Sequence, residues 1–307
     1  MAFKQDFPEE LLKRHLESTL GFGLASLTRL PGYANSLNFK AVRASDGLVF
    51  AVKCSDPADA ERRKRLVTHL DELRGTKAVR RFFPEVNSDF KGLSLLFLSW
   101  CPGERVFADR LSKGEMDAFL DDYLDFSAAL QRTSDHRPAE DPAVRYRWVL
   151  PQLEGTGVRG VRRFLEEQWR RGNIAYRPEK LRIIHDDFHH GNFLFVGHRV
   201  AGYFDFEEFR PGYPAEDLVR YVTVCAEHLH FYELYRIRGL LAAFREMVRH
   251  MPYSREEWHV AVNAMLLYRI EKYVRRGLGF RQVIRLRLRF RFYRAMSSIV
   301  DDGAGLV

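Results

Sequence analysis

His185-Asp186-Asp187-Phe188-His189-His190-Gly191-Asn192-Phe193-Leu194-Phe195 is followed, thirteen residues after Asn192, by Asp205 within Phe204-Asp205-Phe206-Glu207. The order is Asp187, four residues, Asn192, an apolar strand, a turn at Gly197, a second apolar strand, then Asp205. A hairpin of that length would return Asp205 towards Asn192, so that a carboxylate, an amide oxygen and a second carboxylate converge. Hard oxygen donors of this kind suit Mg²⁺, which takes one or two carboxylates together with phosphate oxygens. His185, His189 and His190 beside Asp186 and Asp187 also admit a transition-metal site. Their spacing, however, matches neither a HExxH helix nor a zinc finger.

Outward from this stretch, the pattern differs on the two sides. Upstream, 7–20 carries apolar residues at helical spacing and ends at Gly21. Three strand-like runs follow at 24–30, 37–44 and 48–52, with Asp46-Gly47 as a hairpin signal between the last two. Asp56-Pro57 opens a helix over 60–73. Segments 84–88 and 93–99 read as further strands, the second almost wholly apolar and therefore central. Pro102-Gly103 breaks the pattern. Beyond Gly114 helices dominate, over 115–131, 157–170, 214–230, 232–250, 254–275 and 282–300, with short strand-like pieces at 183–184, 193–195 and 200–204. Ser254, followed by Glu256 and Glu257, reads as an N-cap. The expectation is an α+β fold in two lobes, a β-rich lobe over 1–99 and a helical lobe over 100–307.

Taken together, these motifs resemble the aminoglycoside phosphotransferase and choline kinase superfamily, whose fold is bilobal and protein-kinase-like. His185, Asp187 and Asn192 match its H-x-D-x-x-x-x-N element, and Asp205, Phe206 and Glu207 its I-D-F-[GE] element. Phe50-Ala51-Val52-Lys53 resembles the nucleotide-binding lysine strand, and Gly32-Tyr33-Ala34-Asn35-Ser36 the small-residue phosphate loop. Residues 95–103 resemble the hinge strand whose backbone meets adenine, and Pro214-Ala215-Glu216-Asp217-Leu218 the D-P-A-x-D-L-A segment, whose acid is structural. The resemblance implies an ATP-dependent kinase. Lys53 would contact the phosphates, Glu61 would orient Lys53, and Gly32, Asn35 and Ser36 would line the phosphate loop. Ser99 and Cys101 would lie at the hinge. Asn192 and Asp205, with Glu207, would hold Mg²⁺, Asp187 would take or orient the acceptor proton, and His185 would brace the loop. Two positions depart from the pattern: Asp186 stands where the family often has Gly or Asn, and His190 where it often has Pro. The phosphate loop carries a single glycine.

Singly, several of these residues admit plainer readings. Lys53 could be a solvated strand-end lysine. Glu61 sits among Arg62, Arg63, Lys64 and Arg65, where surface pairing is common, and Glu72 is a rival for its role. The chain has 307 residues, 46% hydrophobic and 29% charged, with three separated cysteines, Cys54, Cys101 and Cys225. That composition disfavours a disulfide-rich, collagenous or disordered protein and is expected of a cytoplasmic one. The net charge of +8 favours anionic partners. The last helix concentrates Arg281, Arg285, Arg287, Arg289, Arg291 and Arg294, either as a solvated face or as an anion-binding surface, including contact with an anionic membrane. Aminoglycosides and choline are cations, so the charge points to a small-molecule or glycan acceptor that is anionic, such as a lipopolysaccharide core sugar. No nucleic-acid motif is present. The alternatives are a pseudokinase, a nucleotide-binding interaction module without catalysis, and a protein kinase, the last disfavoured by the short 205–214 segment.

Overall fold

The computed structural model describes residues 7–30, 36–56, 60–86, 88–134, 136–154, 159–277 and 280–303. The chain divides into two units. One runs through Pro102 and takes in Ala201–Glu207; the other comprises Gly103–Val200 and everything from Glu208 onward.

The first unit begins with α1 (Glu9–Leu20), which ends as predicted at Gly21, whose φ of 73° suits glycine. Strands β1 (Leu24–Arg29), β2 (Ser36–Arg43) and β3 (Val49–Ser55) follow, then α2 (Ala60–Glu72), β4 (Ser88–Phe90) and β5 (Leu93–Ser99). The five strands form one antiparallel sheet in the order β1-β2-β3-β5-β4. β3 alternates half-buried and buried side chains, Phe50, Val52 and Cys54 facing the core and Lys53 the other side, as a two-residue period requires. Phe39, Phe50, Val52, Leu95 and Phe97 make the centre of that core, and Leu12 and Leu16 of α1 close it. Of the strand expected over 84–88, Pro84 and Glu85 form a turn, residue 87 lies outside the described residues, and the paired residues are Ser88–Phe90, where Phe90 buries its ring. Pro84 lacks the amide proton that a ladder needs, which is why pairing starts beyond it.

The second unit is helical. After α3 (Lys113–Leu130) come α4 (Pro142–Gln152) and α5 (Arg159–Ala175), the short strands β6 (Arg182–Ile184) and β7 (Phe193–Val196), and, beyond Gly197, β8 (Arg199–Tyr203). The boundary between the units falls inside β8. β9 (Arg210–Gly212) pairs antiparallel with β6, and α6 (Ala215–Glu227), α7 (Ile237–His250), α8 (Arg255–Arg275) and α9 (Phe280–Gly303) complete the unit. Ser254 caps α8 through a reciprocal capping box with Glu257. The sequence reading missed α4, although Asp141 caps it and Pro142 opens it; the helix start expected at Asp56-Pro57 falls partly outside the described residues, which resume with α2 at Ala60. The helix expected over 232–250 is interrupted: Phe231–Arg236 is a 3₁₀ turn and only α7 is α-helical. Leu286 and Tyr293 of α9 are buried, whereas Arg291 and Arg294 are exposed. Among the described residues, no helix is long and apolar enough to cross a membrane.

The centre of the second unit is aromatic. Phe119 and Tyr123 of α3, Phe188, Phe193 of β7 and Tyr221 of α6 pack with ring centroids 4.8–5.5 Å apart. Phe188 follows Asp187 directly, so the loop between β6 and β7 is nailed to the core beside its catalytic candidate. Such ring pairs contribute about 1 kcal/mol each beyond their buried area.

Candidate active site

In the first unit, Lys53 is the pivot. Its Nζ donates to Asp205 Oδ1 at 2.8 Å and to Glu207 Oε1 at 2.5 Å. The Lys53 side chain is 13% exposed, Asp205 31% and Glu207 7%, so this is a sheltered ion triad with one accessible carboxylate. Burial alone would push the Lys53 ammonium down, but Asp205 and Glu207 hold it above its ordinary value. Glu207 moves up, chiefly by burial and by the like charge of Asp205, against the pull of Lys53 and Arg62. Asp205 has φ 65°, in the left-handed region that Asp tolerates better than most residues.

Helix α2 grips the Asp205-Phe206-Glu207 segment from one face. Arg62 Nε lies 2.8 Å from Glu207 Oε2, Arg65 Nε donates to the Glu207 carbonyl at 3.4 Å, and the buried His69 Nδ1 lies 2.6 Å from the Phe206 carbonyl. Positions 62, 65 and 69 recur at helical spacing, the signal that the sequence reading spent on Glu61 instead. Glu61 is exposed on the first turn of α2, and the structure brings Asp205 and Glu207, not Glu61, to Lys53. Glu207, expected at the metal, has both carboxylate oxygens engaged by cations.

The other expected nucleotide residues are less informative. Gly32 and Asn35 lie outside the described residues, and Ser36 opens β2 opposite Ser55. At the expected hinge, the Ser99 amide donates to the Arg80 carbonyl at 2.8 Å, so that N–H is not open to a base. Cys101 is buried, and burial pushes its thiol up to about 11. Its sulfur lies 2.6 Å from where a Cβ on Gly202 would stand, so only glycine fits there.

In the second unit the loop from His185 to Asn192 is held at nearly every atom. Asp217 accepts the amides of His185 and Asp186 at 2.9 and 3.0 Å, which confirms its structural role. The buried His185 takes the Asp187 amide on Nδ1 at 3.3 Å, so it braces the loop as expected. Asn192 spends its Nδ2 on Asp187, donating to the carbonyl at 2.9 Å and to Oδ2 at 3.1 Å, which turns its Oδ1 into the atom available as a ligand. His189 Nε2 lies 3.5 Å from Asp187 Oδ2, and its Nδ1 accepts the Gly191 amide at 3.0 Å. A Cβ at Gly191 would stand 2.7 Å from that ring. Asp187 itself is 35% exposed. Burial would raise its carboxyl, but His189, and after it Arg220, hold it well below the usual carboxylate range.

Asp186 explains its own departure from the family pattern. Its φ of 57° is the conformation for which Gly and Asn are the usual occupants, and Asp shares that tolerance. Its carboxylate is buried and receives Arg210 Nη2 at 2.8 Å and Arg220 Nη2 at 2.9 Å, with Arg137 Nη1 at 3.8 Å. Arg210 also holds Glu216 at 2.8 Å, and Arg220 Nη1 reaches Asp187 Oδ1 at 3.6 Å. Arg220 therefore links the buried Asp186 to the half-exposed Asp187. Sequence reasoning missed this network because its members, from Arg137 to Arg220, lie up to 83 residues apart and follow no periodicity.

His190 departs from the pattern differently. It is buried, stacked on Phe107 at 4.5 Å and edge-on to His228 at 4.8 Å. Burial first, then His228 and His189, push its imidazole down to about 3. An unfolded histidine titrates near 6.5, so between pH 6.5 and about 3 the unfolded chain binds a proton that the folded chain refuses. Stability should therefore fall as pH falls through that window, by about 1 kcal/mol per unit. His190→Phe should flatten the dependence of the urea midpoint between pH 7 and 5; equal slopes for the two proteins would contradict this.

Among the described residues no group of three or more His, Cys, Asp and Glu is arranged to hold a metal ion. The three cysteines are free and buried.

Residues 26–252 match the sequence model of a family described as the phosphotransferase enzyme family. The chain belongs to this family. Similar solved structures include a Ralstonia eutropha protein described as a candidate aminoglycoside phosphotransferase, with TM-score 0.61 and 14% identity over 97% of this chain and 99% of that one. A thermostable aminoglycoside phosphotransferase mutant, in ternary complex with ADP and hygromycin B, gives TM-score 0.59 and 15% identity over 96% and 99%. A spectinomycin phosphotransferase in complex with ADP and spectinomycin gives 0.58 and 12% over 97% and 99%. A search of curated proteins gives no match. The phosphotransferase chain thus has the α+β fold of these structures, with an antiparallel sheet in its N-terminal part and helices in its C-terminal part.

Proposed function

We propose that this phosphotransferase transfers the γ-phosphate of ATP to a hydroxyl of a small molecule, with Asp187 as the residue that receives the hydroxyl proton. The observation that carries the reading is the lock on Asp187. A carboxylate held ionised by His189 and Arg220, and aimed by Asn192, is what orientation of a hydroxyl requires. Phosphoryl transfer passes through a loose transition state, so positioning and electrostatics outweigh base strength, and a weakly basic aspartate suffices.

Lys53 takes the nucleotide phosphates in this reading, and Asp205 and Glu207 keep it charged. The chemistry of each residue taken by itself suits Mg²⁺: the Asn192 amide oxygen and the accessible Asp205 carboxylate are hard oxygen donors. When bound, Mg²⁺ would neutralise charge on the phosphate oxygens. Glu207 serves as the counter-ion of Lys53 and Arg62 rather than as a second-metal ligand.

The acceptor is an anionic small molecule or glycan sugar, such as a lipopolysaccharide core sugar. The net charge of +8 supports this. The exposed Arg291 and Arg294 of α9 offer contact with an anionic membrane surface. The test is transfer of labelled γ-phosphate to panels of phosphorylated sugars, glycans and aminoglycosides with Mg²⁺ present. Transfer to the anionic panel is expected. Transfer confined to aminoglycosides would overturn the acceptor class, and transfer to nothing, with no nucleotide binding, would favour a non-catalytic module.

A further inference from the structure

A cavity of about 530 Å³ opens in the first unit between α2 and the β4–β5 edge of the sheet, apart from Lys53, Asp205 and Glu207. That volume lies within the range of small-molecule pockets. Its floor is apolar, made of Val67, Val86, Leu95 and Phe97, and its charged lining has three cations, Arg63, Lys64 and Arg81, against one acid, Asp89.

Two features of the wall are unusual. The Nε–H of Arg81 is buried with no hydrogen-bond acceptor among the described residues, although its Nη1 reaches Asp71 at 3.1 Å and its Nη2 donates to the Pro84 carbonyl at 2.6 Å. Buried donors are almost always satisfied, so this one leaves the Arg81 guanidinium with unspent hydrogen-bonding capacity beside the cavity. Phe83, also in the wall, has φ 53°, a left-handed backbone that a bulky residue rarely adopts and that persists where surroundings enforce it.

We propose that this cavity binds a free carboxylic acid with an alkyl or aryl body, the chain on the apolar floor and the carboxylate among Arg63, Lys64 and Arg81. The cation excess selects an anion, and the apolar floor selects against inorganic phosphate or sulfate. The site has a consequence that rests on the kinase reading. Residues 63, 64, 67 and 68 of α2 line the cavity, while Arg62, Arg65 and His69 of the same helix hold the Phe206-Glu207 backbone and the Glu207 carboxylate. An occupant that shifts α2 changes the grip on that segment, and by linkage nucleotide and acid alter each other's affinity.

The probe is decanoate below its micellar range, titrated into the full chain by calorimetry. Saturable binding near one equivalent is expected. It should weaken tenfold or more in Lys64→Glu, a change on the exposed side of α2, and vanish in Val86→Trp, which fills the cavity. No saturable binding, or affinity unchanged in Lys64→Glu and in a folded Val86→Trp, overturns the proposal. Bound decanoate should also change Mg²⁺-nucleotide affinity at least threefold; decanoate binding with nucleotide affinity unchanged overturns the link through α2. Because decanoate is titrated without nucleotide, a failure of the kinase reading leaves this result standing and distinguishable.

Discussion

Asp187→Ala is expected to lower phosphate transfer by about a hundredfold or more while leaving nucleotide affinity within about twofold, since proton transfer by a positioned side chain contributes about 10²–10⁴. The side chain is one-third exposed and its neighbours exist to aim it. Asn192 Nδ2, His189 Nε2 and Arg220 Nη1 converge on its two oxygens at 3.1, 3.5 and 3.6 Å. Removing the carboxylate leaves Lys53, Asp205 and Glu207 bonded to one another as before. Affinity should therefore separate from turnover. Single-turnover transfer and nucleotide titration on the same variant measure the two. Full turnover in Asp187→Ala would remove the residue from its role, and a parallel loss of nucleotide affinity would reassign it to the nucleotide.

Asp186→Asn should cost about 3 kcal/mol of folding stability, the range measured when one partner of a buried ion pair is removed. Asparagine keeps the left-handed backbone at φ 57°, so the loss isolates charge from conformation. Arg210 and Arg220 are both buried and share Asp186 Oδ1. Arg210 keeps Glu216, but Arg220 is left with Asp187 at 3.6 Å. Arg220→Met added to Asp186→Asn should recover part of the loss, because it removes the orphaned cation. The coupling in that double-mutant cycle should exceed about 1 kcal/mol for groups in direct contact. Urea denaturation of the four proteins measures it, and a single-variant loss below about 0.5 kcal/mol, a surface-like value, would contradict the account.

What was legible in the sequence follows from the range over which each signal acts. β5 could be bounded because an apolar run flanked by turn residues is a local property, and α8 because Ser254 and Glu257 are three residues apart. The β6–β7 loop stood out because Asp187 and Asn192 lie close in sequence, and their hydrogen bond is the consequence. Lys53 could be named, but its partners could not. The ion pairs reach across more than 150 residues, whereas the local acid, Glu61, was a plausible substitute on spacing alone. The Asp186 network was invisible for the same reason. Its aspartate registered only as an exception to a pattern, and Arg210, Arg220 and Arg137 carried no mark distinguishing them from surface arginines. α4 was overlooked despite its Asp141-Pro142 start because its apolar residues make no single buried stripe, Val144 and Trp148 being exposed, and Pro151 interrupts its far end.

In the proposed function Lys53 and Asp205 serve a magnesium nucleotide. The most direct measurement is a thermal-shift titration of the protein with ATP, with and without Mg²⁺, alongside Asp205→Ala. A ligand that binds only the folded chain stabilises it by mass action, about 2.7 kcal/mol at a hundredfold excess over Kd. The account predicts a Mg²⁺-dependent rise in Tm that Asp205→Ala loses. No rise with ATP, or an equal rise with and without Mg²⁺ in both proteins, would contradict it.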